Sequence, residues 1–171
     1  SYGDYLFVGG LQGVYIYDRK NPDAPVFQSQ FKHVESCDPV VVDNDIAYVT
    51  LREDATCRNA KNLLMVLDVK DFDNPQIIAE YPMQHPHGLG VKDNVLYLCE
   101  GVHGLKVFDL TDKTKIDQQL IAQDSIVRGY DVIPHAYKPI LILVGDDGLF
   151  EYDISEPKNL KRLGELRSFD N

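Results

Sequence analysis

The residues best suited to do chemistry crowd into one stretch, QHPHGLGVKDNVLYLCEG, from Gln84 to Gly101. His85 and His87 are two residues apart, so in extended chain their rings project to the same side. Glu100 follows, and His103 lies just beyond it. Neutral imidazoles with a carboxylate are a donor set for zinc or a similar ion. Pro86, however, breaks the regular alternation between the two histidines, and no spacing fixes a third ligand. The histidines are therefore read as hydrogen-bonded or solvated, with no metal and no cofactor assigned. His33 and His135 stand apart from this group. Cys37, Cys57 and Cys99 are spaced unlike any CxxC zinc pattern. They allow one disulfide and a free thiol, or three thiols.

Four aspartates, Asp18, Asp68, Asp109 and Asp153, could pass for a catalytic set. Each closes an apolar run and precedes turn residues such as RKNPDAP or ISEPKN. A carboxylate there accepts backbone N–H groups in an Asx turn, so a structural role is expected.

The elements that must position these groups come from an internal repeat. An apolar run, a Gly-rich or polar turn, and a second apolar run ending on Asp occur four times, as in DYLFVGGLQGVYIYD, VLYLCEGVHGLKVFD and ILILVGDDGLFEYD. The closing aspartates are 50, 41 and 44 residues apart, the longest step holding an insertion from Arg52 to Asn62. A period of roughly 40–45 residues built from short strands is a propeller signature. In the third copy the predicted strands are A, Leu89 to Lys92; B, Val95 to Cys99; C, Leu105 to Asp109; and D, near Gln118 to Ala122. Asp93-Asn94 form the first turn. Runs such as LLMVL and ILILV are apolar on both sides, as a sheet buried on both faces requires.

The expected fold is thus all-β, a single β-propeller region spanning 1–171. Its four-stranded antiparallel blades fall at about 4–31, 36–81, 87–122 and 128–167. The first blade lacks strand A, so the chain is read as part of a larger propeller or one completed by a homodimer. Glu151 occupies the position of Ile16, Val66 and Val107 in the other copies and needs a polar partner, a rim or an incomplete neighbour.

The runs GVYIYDRKNPDAP, LMVLDVKDFDNP and GLFEYDISEPKN resemble the LVIVD repeat, a bacterial β-propeller repeat. Nearly the whole chain is similar to the subgroup found in exported lipoproteins of Bacteroidetes-type bacteria. That resemblance implies a propeller fold outside the cytoplasm, in the periplasm or at the cell surface, with any membrane attachment through a lipid anchor outside this chain. It implies no particular reaction.

Strand direction puts the D-to-A and B-to-C loops at one end of each blade. Aligning the A strands on Tyr48 and Tyr97 places Asp38, His87 and Arg128 at one repeat position, ringing the mouth of a central channel. With His85, Glu100 and His103 they are the predicted ligand-binding rim. Cys37 and Cys57 fall at the same end, where a disulfide would pin the insertion. Such a bridge would contribute roughly 3 kcal/mol in the chain-entropy model. Cys99 reads as a small buried residue.

Charge limits the partners. The formal net charge is −10, which repels phosphate backbones and argues against nucleic acid. No apolar run reaches the roughly 18 residues of a membrane-spanning helix. The function expected is a non-catalytic binding or scaffold propeller of the cell envelope, contacting a protein or a glycan. The alternative is a metal-assisted hydrolase or lyase at the channel mouth, with catalytic residues unassigned.

Overall fold

The computed structural model describes residues 1–10, 12–32, 39–53 and 61–167. Among them the regular structure is β-strand apart from one 3-10 turn, Ile116–Gln118. The strands form four antiparallel sheets. The first has three strands, β1 (Tyr5–Gly10), β2 (Gly13–Asp18) and β3 (Val26–Phe31). The second has β4 (Val40–Asp43), β5 (Ile46–Leu51), β6 (Leu63–Asp68) and β7 (Gln76–Pro82). The third has β8 (Leu89–Lys92), β9 (Val95–Cys99), β10 (Leu105–Asp109) and β11 (Leu120–Asp124). The fourth has β12 (Gly129–Pro134), β13 (Ile140–Gly145), β14 (Gly148–Asp153) and β15 (Lys161–Arg167). Within each sheet, neighbours in sequence are neighbours in space.

Local chemistry explains this order. Asn44-Asp45 and Asp93-Asn94 carry positive φ values between 48° and 61°. Both central residues of a two-residue hairpin turn need that conformation, and Asn and Asp tolerate it best. The closing aspartates then end β2, β6, β10 and β14. Asp18, Asp68, Asp109 and Asp153 accept the backbone N–H two residues on, at 2.9, 2.9, 2.7 and 2.8 Å. Just before each aspartate the ladder to the outer strand slips, at Ile16/Tyr17, Val66/Leu67, Val107/Phe108 and Glu151/Tyr152. A bulge recurring at one repeat position re-aims each outer strand in the same way.

The chain divides into two units, Ser1–Met83 and Gln84–Asn171. In the first, Phe7, Val14 and Ile16 pack on Ala47, Val49, Leu51, Met65 and Leu67. In the second, Val95, Tyr97, Cys99, Leu105 and Val107 pack on Val132, Leu141, Leu143, Phe150 and Tyr152. Each large side chain fully buried this way contributes about 1.5–3 kcal/mol. Alternation along the strands leaves a second face on the first and on the fourth sheet. On the fourth sheet, pairing aligns Ile133 with Ile142 and Glu151, and Val144 with Leu149 and Leu166. Ile133 is 55% exposed and Leu166 72%. Glu151 sits in the middle of this apolar face, half-buried. On the first sheet, Val8 and Tyr15 are paired, as are Tyr17 and Phe27, and Phe27 is 54% exposed.

Candidate ligand-binding site

Within the second unit, the segment leading into β8, the β9–β10 turn, the segment leading into β12 and the β13–β14 turn gather at one end. A backbone bridge from Gly101 N–H to the Gly129 carbonyl, at 3.2 Å, ties the second of these to the third. Asp146 N–H donates to the Arg128 carbonyl at 3.1 Å, tying in the fourth. This close approach depends on glycine: a Cβ on Gly129 would stand 2.6 Å from the Cys99 sulfur.

Glu100 anchors the site from below. It is fully buried. One carboxylate oxygen accepts the Gln84 backbone N–H at 2.7 Å, and the other faces the Lys106 ammonium in a close ion pair. Lys106 also donates to the Gln84 side-chain oxygen at 3.0 Å. A carboxylate without such a partner would be costly here. The pair therefore fixes the start of the Gln84–His87 segment, and its role is to position that segment. Glu100, expected at the ligand rim, lies beneath it.

His85 and His87 do meet. Nδ1 of His85 is 3.1 Å from Nε2 of His87, and the rings are edge-on at 4.8 Å between centroids. The His87 backbone N–H donates to the Cys99 carbonyl at 2.7 Å, which holds the residue against the end of β9. Its ring lies 5.2 Å from the ring of Tyr130. His103 belongs to the β9–β10 turn: its N–H donates to the Glu100 carbonyl at 2.9 Å and its carbonyl accepts from Gln123 at 3.1 Å.

Arg128 reaches this end but not by the register expected. Leu89 pairs with Leu98 and Val132 with Leu143, so counting back from β8 and β12 places Tyr130 at the repeat position of His87. The bulge between Gly129 and Asp131 shifts Arg128 outward. There its guanidinium is 4.0 Å from the Asp146 carboxylate, and both are well exposed. The Tyr130 hydroxyl donates to the same carboxylate. Tyr130, Lys106 and Asp146 were not singled out from sequence. Opposite charges flanking the β9–β10 hairpin were the available signal for Lys106, whereas the bulge hides Tyr130.

Asp38, Cys37 and Cys57, with the proposed disulfide, lie outside the described residues. Cys99 is buried, and burial together with the charge of Asp131 pushes its thiol well above the usual range, so it is no nucleophile. Asp131 is exposed, yet partial desolvation of its carboxyl raises it, against the Val132 N–H that favours its charged form. His135 is far along β12 from the site, and its Nδ1 accepts the N–H groups of Tyr137 and Lys138 at 3.1 and 3.2 Å. Among the described residues no group of three or more His, Cys, Asp or Glu converges to hold a metal ion.

No family model matches the chain, and no curated protein does. Its fold is similar to that of a solved structure, the computationally designed Ika8 protein, with a TM-score of 0.63 and 13% identity. The match covers 96% of this chain and 48% of that one, so the chain spans about half the length of its structural neighbour. At that identity the likeness concerns fold alone.

Proposed function

We propose that the four sheets are blades of a β-propeller and that the chain is a non-catalytic binding module for a hydroxyl-rich glycan. The ligand end is the one carrying His85, His87, Arg128 and Tyr130. One observation carries this reading: the ring of Tyr130, 43% exposed, stands between the imidazole pair and the Arg128–Asp146 pair. A flat aromatic surface suits the C–H face of a sugar ring, and an exposed guanidinium–carboxylate pair offers donors and acceptors to neighbouring hydroxyls. Of the acids at this end, Glu100 is held by Lys106, and Asp146 is shared by Arg128 and Tyr130. That favours binding over catalysis.

The recurring bulge, the nearest-neighbour sheet order and the partly exposed apolar faces of the first and fourth sheets support a larger ring, closed by further copies of the repeat. The likeness of the repeats to exported lipoproteins supports a place in the cell envelope.

The test is a titration of isotope-labelled protein with a panel of neutral and acidic oligosaccharides, in chelator, followed by amide and side-chain NMR. The expected result is perturbation at Gly101, Arg128, Tyr130 and Asp146 by one sugar class, abolished in Arg128→Ala and Tyr130→Ala. Perturbations that bypass this end, or none across the panel, refute the proposal.

A further inference from the structure

We propose that His85 and His87 form a two-imidazole site for a borderline transition-metal ion, Zn(II) or Cu(II). The inference does not depend on the glycan reading. Two ligands bound to one ion at about 2.0–2.1 Å, with an angle between about 90° and 110°, stand roughly 2.9–3.4 Å apart. The 3.1 Å between His85 Nδ1 and His87 Nε2 falls in that range. The two nitrogens thus already stand as close as a shared ion would hold them. Without metal, one ring N–H donates to the lone pair of the other; on binding, that ring's proton passes through solvent to its other nitrogen, so two neutral imidazoles present lone pairs to the ion.

Gly101 supplies the second observation. Its φ is +54°, and a Cβ built on it would lie 3.0 Å from His87 Nε2 and 3.1 Å from His85 Nδ1. The absent side chain leaves a space almost equidistant from the same two nitrogens. The pair rests on ordered backbone, through the His87 N–H to Cys99 and the Gln84 N–H to Glu100, so little must be reorganised on binding. Imidazole suits Zn(II) and Cu(II), and a two-residue donor set leaves coordination positions open to water or an outside ligand.

The test is calorimetry with Zn(II) alone in a non-coordinating buffer near pH 7.5, alongside NMR of the histidine rings with Zn(II) and Cu(II). The expected result is one equivalent of bound Zn(II), shifts of the His85 and His87 ring signals, and loss of those signals with paramagnetic Cu(II). His135→Ala should bind as the parent does. His85→Ala and His87→Ala should each weaken binding by roughly tenfold or more. His85→Asn and His87→Asn, which keep a polar group in place, replace any alanine variant whose thermal melt shows it unfolded. Gly101→Ala, confirmed as folded in the same way, should weaken binding as well. A smaller loss in either histidine variant, unmoved ring signals or no heat of binding overturns the proposal.

Discussion

Lys106→Met isolates the anchor beneath the binding end. The methionine keeps most of the side-chain volume and removes the ammonium, leaving the Glu100 carboxylate buried beside the Gln84 N–H alone. Removing one partner of a buried pair costs about 3–5 kcal/mol. Lys106 keeps 16% of its side chain exposed and Glu100 none, so water softens the cost from the lysine side only, and about 3 kcal/mol is expected. For a chain of this length that lowers the melting temperature by roughly 6–12 °C. Glu100→Gln should cost less, because the amide oxygen still accepts from Gln84. The double variant Glu100→Gln/Lys106→Met should lose well under the sum of the two single losses, because the amide leaves no buried charge in need of the ammonium. Urea unfolding of all four proteins closes the cycle. A Lys106→Met loss below about 1 kcal/mol, or additive losses, would refute the argument that a desolvated carboxylate depends on this ammonium.

Four other outcomes follow. Asp18 is held below the usual carboxylate range by the Lys20 N–H, Asp109 by the Thr111 hydroxyl and N–H, and Asp153 by the Ser155 N–H. Their contribution is present above about pH 4 and is lost as pH falls through the lowered values, so Asp109→Asn should cost more stability at pH 6 than at pH 2 in urea titrations. Asp131 is shifted the opposite way by partial desolvation although the residue is exposed, so its ionisation costs only a little stability as pH rises, and Asp131→Asn should raise the melting temperature slightly at pH 7 but not at pH 3. Gly129→Ala should cost roughly 1–3 kcal/mol through overlap with the Cys99 sulfur, and adding Cys99→Ala should restore part of it in thermal melts. Maleimide labelling with peptide mapping should modify Cys99 only in denaturant, since its thiol is buried and raised; native labelling of that peptide would contradict its placement.

The strand framework was legible because its causes are local. Val95 to Cys99 and Leu105 to Asp109 are short apolar runs bounded by Asp93-Asn94 and by glycines, and β8, β9 and β10 begin and end at the predicted residues. The closing aspartates also act as expected, because an Asx turn needs only its own next two residues. The burial of Glu100 was not legible, because it rests on Lys106, across a hairpin, and sequence favours exposure for both. Tyr130 was missed because a bulge moves the register without changing composition. The pairing of His85 with His87 was half legible: two-residue spacing brought the rings to one side, but only the folded turn shows Gly101 beneath them.

The hydrogen bond with which each closing aspartate opens its turn makes no demand on any other repeat, although the turn after Asp68 also packs Phe72 on Tyr5 and Phe7. That bond is made two residues away, and the bulge beside it lies between two strands of the same sheet. A duplicated or deleted segment of some forty residues would therefore carry its own punctuation with it. What must be matched at a new junction is one apolar face against another. Such a chain can gain or lose whole repeats in evolution without inventing a new turn, and selection is left to tune the few residues, like those around Tyr130, that differ from copy to copy.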